Sequence, residues 1–256
     1  QQMGFTEVEG VRGQVFLSKS KDSLGRSSSG DVKSLAINEE KYIVAAVAKN
    51  IKDRNNFAGL VGVAIGETKQ YVLEKLKESD SYAIIKKNVP ANQADVLKKL
   101  ALGGLSLEKN SERYYPQENL ASQVVGFLGG EGKGQYGLEG YYEDLLKGKT
   151  GIKEEKRGLD LITSPSKQDY LDGSDLYSTI DYNIQFQAES LLAEAHKDIN
   201  IESGQNIVLK PDSGRILALA NFPSFNSNQY YKENNLEIFQ NSAVQKVFEP
   251  GSVFKP

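Results

Sequence analysis

The stretch that most limits the fold runs from residue 171 to residue 220, where three kinds of pattern follow one another. Residues 176–180 read as a short strand, and Asp181 is a residue type that caps helix N-termini. Beyond it Ile184, Ala188, Leu191, Leu192, Ala195 and Ile199 recur at helical spacing. Two apolar runs, 205–209 and 215–220, are then joined by Lys210-Pro211-Asp212-Ser213-Gly214. Proline presets φ for the first turn position and Gly214 can take the left-handed conformation of a bulge, so the segment predicts an antiparallel hairpin. We expect that hairpin to pair with the strand near 176–180. The change of pattern at 171 also predicts a domain boundary, with 1–170 forming a separate elongated module.

Upstream the patterns are shorter. Residues 10–34 are rich in Ser, Gly and Lys and read as an extended lead-in with a loop around Ser27-Ser28-Ser29-Gly30. Residues 42–48 are apolar and fit strand or helix, whereas 68–77 set Tyr71, Val72, Leu73 and Leu76 among charges as a short amphipathic helix does. Residues 82–85 read as a strand. Pro90 suits the first position of a helix carrying Ala94, Val96, Leu97 and Leu100, with Gly103-Gly104 ending it. The sum is a small mixed α/β module.

Composition excludes several function classes. A net charge of −3 argues against a nucleic-acid role, which calls for a basic patch. With no cysteine and one histidine the chain has no disulfides or thiolate metal sites, and we expect neither a metal nor a cofactor. His196 lies beside the helical stripe between Glu194 and Lys197 and reads as a solvated position, since no partner for general-base work is visible. No apolar run is long enough to span a membrane.

Two glycine-rich stretches imitate nucleotide sites. Gly132-Lys133-Gly134-Gln135-Tyr136-Gly137 matches a dinucleotide fingerprint, but it follows a helical pattern at 119–127 where the motif needs a strand. Gly148-Lys149-Thr150 resembles the end of a phosphate loop, yet Glu143 stands where the first glycine belongs. These glycines are expected to supply positive φ in a connector, followed by a helical face of Leu138, Tyr141, Tyr142, Leu145 and Leu146.

The chemistry-bearing stretch is Phe248-Glu249-Pro250-Gly251-Ser252-Val253-Phe254-Lys255-Pro256. Pro250 and Gly251 break the preceding structure, and Ser252 can open a helix on which Lys255, three residues on, shares its face. A serine hydroxyl with a neutral lysine amine in reach is a nucleophile with its base, and burial and the helix dipole both lower a lysine pKa. Spacing alone does not select this pair. Ser18 with Lys21, Ser106 with Lys109 and Ser164 with Lys167 have the same spacing in polar surroundings.

The flanking residues do select it. Phe-Glu-Pro-Gly-Ser-Val-Phe-Lys-Pro resembles the active-site serine segment of class B penicillin-binding proteins, the transpeptidases that cross-link peptidoglycan. Arg12-Gly13-Gln14-Val15-Phe16, Arg113-Tyr114-Tyr115-Pro116 with 121–127, Gly137-Leu138-Glu139-Gly140, Thr179-Ile180-Asp181, and Gly204 through Ser224-Phe225-Asn226 are similar to further family blocks in the same order. Leu17-Ser18-Lys19-Ser20 departs from the family's usual Asp-Arg-Asn-Gly turn. Lys149-Thr150-Gly151 copies a family active-site motif but precedes the serine, where the family places it after, and is set aside as coincidence. Ser174-Asp175 is likewise not the family's second motif.

The resemblance implies an α+β chain: an elongated N-terminal pedestal (1–170, dimerisation-like), then the first strands and helices of a penicillin-binding transpeptidase domain (171–256) ending at the Ser-x-x-Lys motif. It implies Ser252 as nucleophile and Lys255 as its base, acting on D-Ala-D-Ala stem peptides of peptidoglycan through an acyl-enzyme, with β-lactams as ligands. It further implies membrane-embedded cell-wall synthesis partners and an extracytoplasmic position behind a single N-terminal anchor, which would precede Gln1. A second reading is a non-catalytic pedestal fragment serving as an interaction module. A third, a β-lactam sensor or hydrolase, is opposed by the pedestal-like blocks at 12 and 113. In the family the remaining oxyanion donor and the clamping Lys-Thr-Gly lie beyond the serine, so residues 248–256 are expected to be irregular and this chain alone not to acylate efficiently.

Overall fold

The computed structural model describes residues 3–8, 11–18, 33–149, 151–156, 171–247, 249 and 251, with 3–8 and 151–156 described as backbone. It is an α+β chain of two compact units, Asn38–Arg113 and the remainder, Gln1–Ile37 with Tyr114–Pro256. In the larger unit β1 (Met3–Val8) will pair with a strand far along the chain, and β2 (Val15–Phe16) is antiparallel to the start of β3 (Ser34–Ala46), with Val15 opposite Ala36.

The smaller unit takes the rest of β3, so of residues 42–48, open between helix and strand by periodicity, 42–46 are strand and Ala48 opens a 3-10 turn, Ala48–Asn50. Helix α1 (Arg54–Ile65) starts at Asp53, whose carboxylate accepts from the N–H groups of Asn55 and Asn56. Helix α2 (Lys69–Glu78) is capped by the Thr68 hydroxyl, which accepts from the Tyr71 N–H at 3.1 Å. Strand β4 (Ala83–Pro90) is antiparallel to β3, helix α3 (Ala91–Leu100) follows, and β5 (Leu105–Tyr114) also pairs with β3.

Three local expectations for α3 are corrected. Pro90 ends the strand and stands at the N-cap with extended φ/ψ, so it precedes the first helical residue. The helix stops at Ala101, a left-handed residue at φ 46°, before either glycine. Of the helical stripe only Ala94 and Leu97 enter the core, while Val96 and Leu100 face solvent. That core is shared by Val44 and Ala46 of β3, Phe57, Val61 and Ile65 of α1, Val72 and Leu76 of α2, and Ile85 and Val89 of β4. Each such fully buried large side chain contributes about 1.5–3 kcal/mol.

The larger unit resumes with α4 (Ser122–Val125), the antiparallel pair β6 (Phe127–Leu128) and β7 (Gly134–Gln135), α5 (Gly137–Tyr141) and α6 (Glu143–Leu146). The helical pattern expected over 119–127 shrinks to these four residues of α4, and the apolar face at 138–146 is split between two short helices at Tyr142. Strand β8 (Gly151–Lys156) is the antiparallel partner of β1, and β9 (Leu176–Tyr177) runs parallel to β2.

Helix α7 (Tyr182–Ile199) begins as expected, the Asp181 carboxylate accepting from the N–H groups of Asn183 and Ile184. Strands β10 (Gly204–Lys210) and β11 (Arg215–Phe222) form the expected hairpin, with Gly214 at φ 66° and a register shift between Val208 and Leu209. Ile184, Ala188 and Leu192 of α7 pack on Val208, Ala218 and Ala220. One pairing is corrected: β9 ladders with β2, and the hairpin meets the segment after β9 through the Asp181 N–H donating to the Leu217 carbonyl at 2.8 Å. The segment after β11 makes 3-10 turns at Ser227–Lys232 and Leu236–Phe239 and a last helix, α8 (Ser242–Gln245).

The compact units do not divide at 170/171. Val15, Leu17, Leu35, Tyr115, Val125, Phe127 and Leu146 share one core with Ile180, Leu219, Phe225 and Phe239. The reason is side-chain burial: the short helices at 122–146 bury no core of their own and find their apolar partners on β11 and the turns after it. Among the described residues no helix is long and apolar enough to cross a membrane.

Candidate active site

Ser252 and Lys255 lie outside the described residues, as do Ser164, Lys167, Lys21 and the loop at Ser27-Ser28-Ser29-Gly30; of the 248–256 stretch only Glu249 and Gly251 are described. Ser106 and Lys109 sit on β5, where residues three apart point to opposite faces, so this Ser-x-x-Lys pair cannot act as nucleophile and base. Lys109 instead donates to Glu40 at 3.3 Å. What the structure does place is the framework that carries the chain from the hairpin towards Ser252.

That framework is held by side-chain amides. Gln185, fully buried on α7, accepts from the Leu219 N–H at 2.8 Å and donates to the Leu219 carbonyl at 3.2 Å. Gln123, buried in α4, donates to the carbonyls of Pro223 at 2.9 Å and Ile238 at 3.1 Å, spanning the turns after β11. Its own oxygen takes the Ser122 hydroxyl at 3.0 Å. Asn228 brackets the backbone of Tyr115, accepting from its N–H and donating to its carbonyl, both at 2.9 Å. Asn221 of β11 donates to the Asn241 side-chain oxygen at 3.1 Å and accepts from the Ser242 hydroxyl at 2.7 Å, which ties α8 to the hairpin. A buried amide left unpaired would cost about 1–3 kcal/mol, so each of these pairings fixes a backbone position.

A second cluster ties the family-like blocks together. Arg12 donates to Glu139 through Nε at 3.0 Å and Nη2 at 2.8 Å, and Nη2 reaches Glu143 at 2.6 Å. The Glu139 side chain is fully buried and also accepts from the Tyr115 hydroxyl at 3.4 Å. Burial pushes the Glu143 carboxyl up, but Arg12 and the Gly134 N–H outweigh it and hold it below its ordinary range. Gly13 next to the arginine is required by close approach, since a Cβ there would lie 2.0 Å from the Ser174 carbonyl oxygen. Gly134, the second glycine of the apparent dinucleotide fingerprint, where a pyrophosphate would approach, already gives its N–H to the Glu143 carboxylate at 2.8 Å. Lys149 forms a backbone bridge with Leu171.

Glu189 completes the support. Its carboxylate accepts from the Ala121 N–H and from Gln185 Nε2, each at 2.7 Å. Burial pushes this carboxyl above its ordinary range, and the two hydrogen bonds only partly offset that. His196 is exposed, its Nδ1 2.8 Å from the Ile201 carbonyl oxygen at the C-terminal end of α7. Among the described residues no group of three or more His, Cys, Asp or Glu side chains could hold a metal ion.

The amide clips were not found by sequence reasoning. The available signal was polar residues inside apolar runs, such as Ser122-Gln123 ahead of Val124-Val125 and Asn221 after Ala218–Ala220. The backbone partners of Gln185 and Gln123 lie 34 to 115 residues away, and the side-chain partners of Asn221 lie 20 and 21 residues away, which leave no mark in sequence.

Comparison with known proteins places this α+β framework. Residues 28–178 match the penicillin-binding protein dimerisation domain and residues 204–256 match the penicillin-binding protein transpeptidase domain. The chain belongs to the class B penicillin-binding protein family. It is 32% identical over 233 residues to the probable peptidoglycan D,D-transpeptidase PenA of Neisseria gonorrhoeae, covering 87% of this chain and 39% of that one. It is 30% identical over 178 residues to the peptidoglycan D,D-transpeptidase FtsI of Escherichia coli, covering 68% and 30%. A peptidoglycan synthetase structure from Bifidobacterium adolescentis shares the fold, with a TM-score of 0.64 and 23% identity over 99% of this chain and 50% of that one. The chain thus spans about two fifths of the length of PenA.

Proposed function

We propose that the protein is a penicillin-sensitive D,D-transpeptidase that cross-links peptidoglycan through an acyl-serine intermediate. Ser252 attacks the carbonyl of the penultimate D-Ala of a D-Ala-D-Ala stem peptide while Lys255 takes the hydroxyl proton. The D-Ala-D-Ala amide breaks, the terminal D-Ala leaves with that proton on its amine, and the acyl group then passes to the amine of another strand, which releases Ser252. The observation that carries this reading is the transpeptidase-domain match over 204–256, which contains the Ser252-x-x-Lys255 pair. Residues 1–170 are read as the pedestal and 171–256 as the start of the catalytic domain, a division of role between segments that share the core of the larger unit. We read the site as lying outside the cytoplasm behind a membrane anchor, and the protein as working in cell shape or division.

The pedestal is also read as a docking module for cell-wall synthesis proteins. A solved complex between PBP2 and MreC from Helicobacter pylori, 18% identical with a TM-score of 0.64, supports this second reading. The test of the catalytic reading is intact-mass analysis of the protein purified from its cells after incubation with labelled penicillin. A stoichiometric adduct mapped to Ser252 is expected, and an adduct elsewhere, or none, would overturn it.

A further inference from the structure

We propose that an aromatic pocket in the larger unit, formed by Phe127, Tyr136, Tyr230, Tyr231, Glu233 and Leu236, binds the amine-bearing cationic side chain of a peptide ligand. The cavity has a volume of about 410 Å³, within the range of ligand sites. Phe127 and Tyr230 are stacked with centroids 4.1 Å apart, so each covers one face of the other, and the exposed Tyr231, at 82° to Tyr230, is the ring open to a ligand at the rim. Core packing accounts for Phe127, which contacts the buried Phe225 and Phe239. It does not account for Tyr231 and Leu236, which are 70% and 65% exposed at the rim.

Charge selects the ligand. Among the described residues Glu233 is the one charged residue lining the pocket, and no lysine or arginine lines it. The neighbouring cations are turned to other partners: Lys232 donates to Gln229 at 2.8 Å, and Lys133 lies 3.9 Å from Glu131. A carboxylate beside the negative faces of aromatic rings attracts an ammonium and repels an anion. The apolar stem of a lysine-like side chain fits against the exposed Leu236 while its head reaches Tyr231 and Glu233. A sugar would need several polar groups around its rim, and the lining supplies one carboxamide, Gln135, besides Glu233 and the phenols.

The test is nuclear magnetic resonance titration of the chain with N-acetyl-lysine N-methylamide, following the ring signals of Tyr230 and Tyr231. Saturable shifts are expected, with binding about fivefold tighter than for the norleucine analogue. Glu233→Gln is expected to remove that difference, and Tyr231→Ala, at an exposed site that leaves the fold intact, to weaken the lysine probe. Equal binding of lysine and norleucine probes overturns the proposal. So does binding of chito-oligosaccharide in place of the lysine probe, or no shift with lysine up to about 50 mM. None of these outcomes bears on penicillin acylation at Ser252, so the two readings fail separately.

Discussion

The side chain of Gln185 on α7 hydrogen-bonds both the N–H and the carbonyl of Leu219 on β11, standing where a neighbouring strand would otherwise pair. Thr179 Oγ1 donates to the Ile216 carbonyl at 2.6 Å and the Asp181 N–H to that of Leu217 at 2.8 Å, so residues 179–185 close this edge of the hairpin. An exposed edge is a template for unwanted pairing, and a helix and its cap protect this one.

Replacing Gln185 by leucine keeps the volume but strands two backbone groups in a buried site. Stability to urea is expected to fall by about 2–6 kcal/mol, summing two unsatisfied groups. A loss below about 0.5 kcal/mol, in the range of ordinary surface substitutions, would mean that Gln185 does not hold the edge.

Arg12 is the counter-ion of a fully buried carboxylate, Glu139, and of Glu143. Arg12→Ala is expected to destabilise the protein by about 3–5 kcal/mol, because an uncompensated charge remains inside. Arg12→Lys should recover only part of this, since an ammonium cannot reproduce the forked contact. Glu143, held below its ordinary range, contributes stability that is present above its unfolded pKa and lost as pH falls through the folded value. That acid-limb loss is expected to be smaller in Arg12→Ala, which a pH series of denaturation curves measures.

Glu189 has the opposite sign. Its folded pKa is raised by burial, so between the unfolded and folded values the native state holds more protons than the unfolded chain. Stability contributed by this group therefore falls as pH rises through that window. Glu189→Gln keeps an acceptor for the Ala121 N–H and cannot ionise. Relative to the parent protein it is expected to be more stable at pH 7 than at pH 4, and thermal denaturation at the two values checks this.

For the proposed chemistry, Lys255→Arg keeps a positive charge at 255 but removes any neutral amine, because guanidinium stays protonated. Penicillin acylation at Ser252 is expected to slow by about 10²–10⁴, the usual contribution of a positioned base. An undiminished acylation rate would remove Lys255 from the base role.

Local chemistry was legible along much of the chain. The Asp181 cap, the short helix over 69–78, the helix over 182–199, and the hairpin with its left-handed Gly214 all followed from residue type and period, since caps and turns are satisfied within a few residues. Helix α3 shows the limit of that reasoning. A proline and two glycines marked its neighbourhood, but Ala101 ended it, because Gly104 is spent further on in a tight approach to Ile51 and the Val47 carbonyl.

The Ser252-x-x-Lys255 pair and the ordered family blocks were likewise written in the sequence, because a nucleophile with its base is a matter of residue type and short spacing. Which distant blocks meet was decided by tertiary structure alone. Arg12 with Glu139, Gln123 with Pro223 and Ile238, Asn228 with Tyr115, and a core that joins Val15 to Phe239 are contacts between segments tens to hundreds of residues apart. Burial forces each polar group among them to find a partner, and only the folded chain determines which backbone atom is there to meet it.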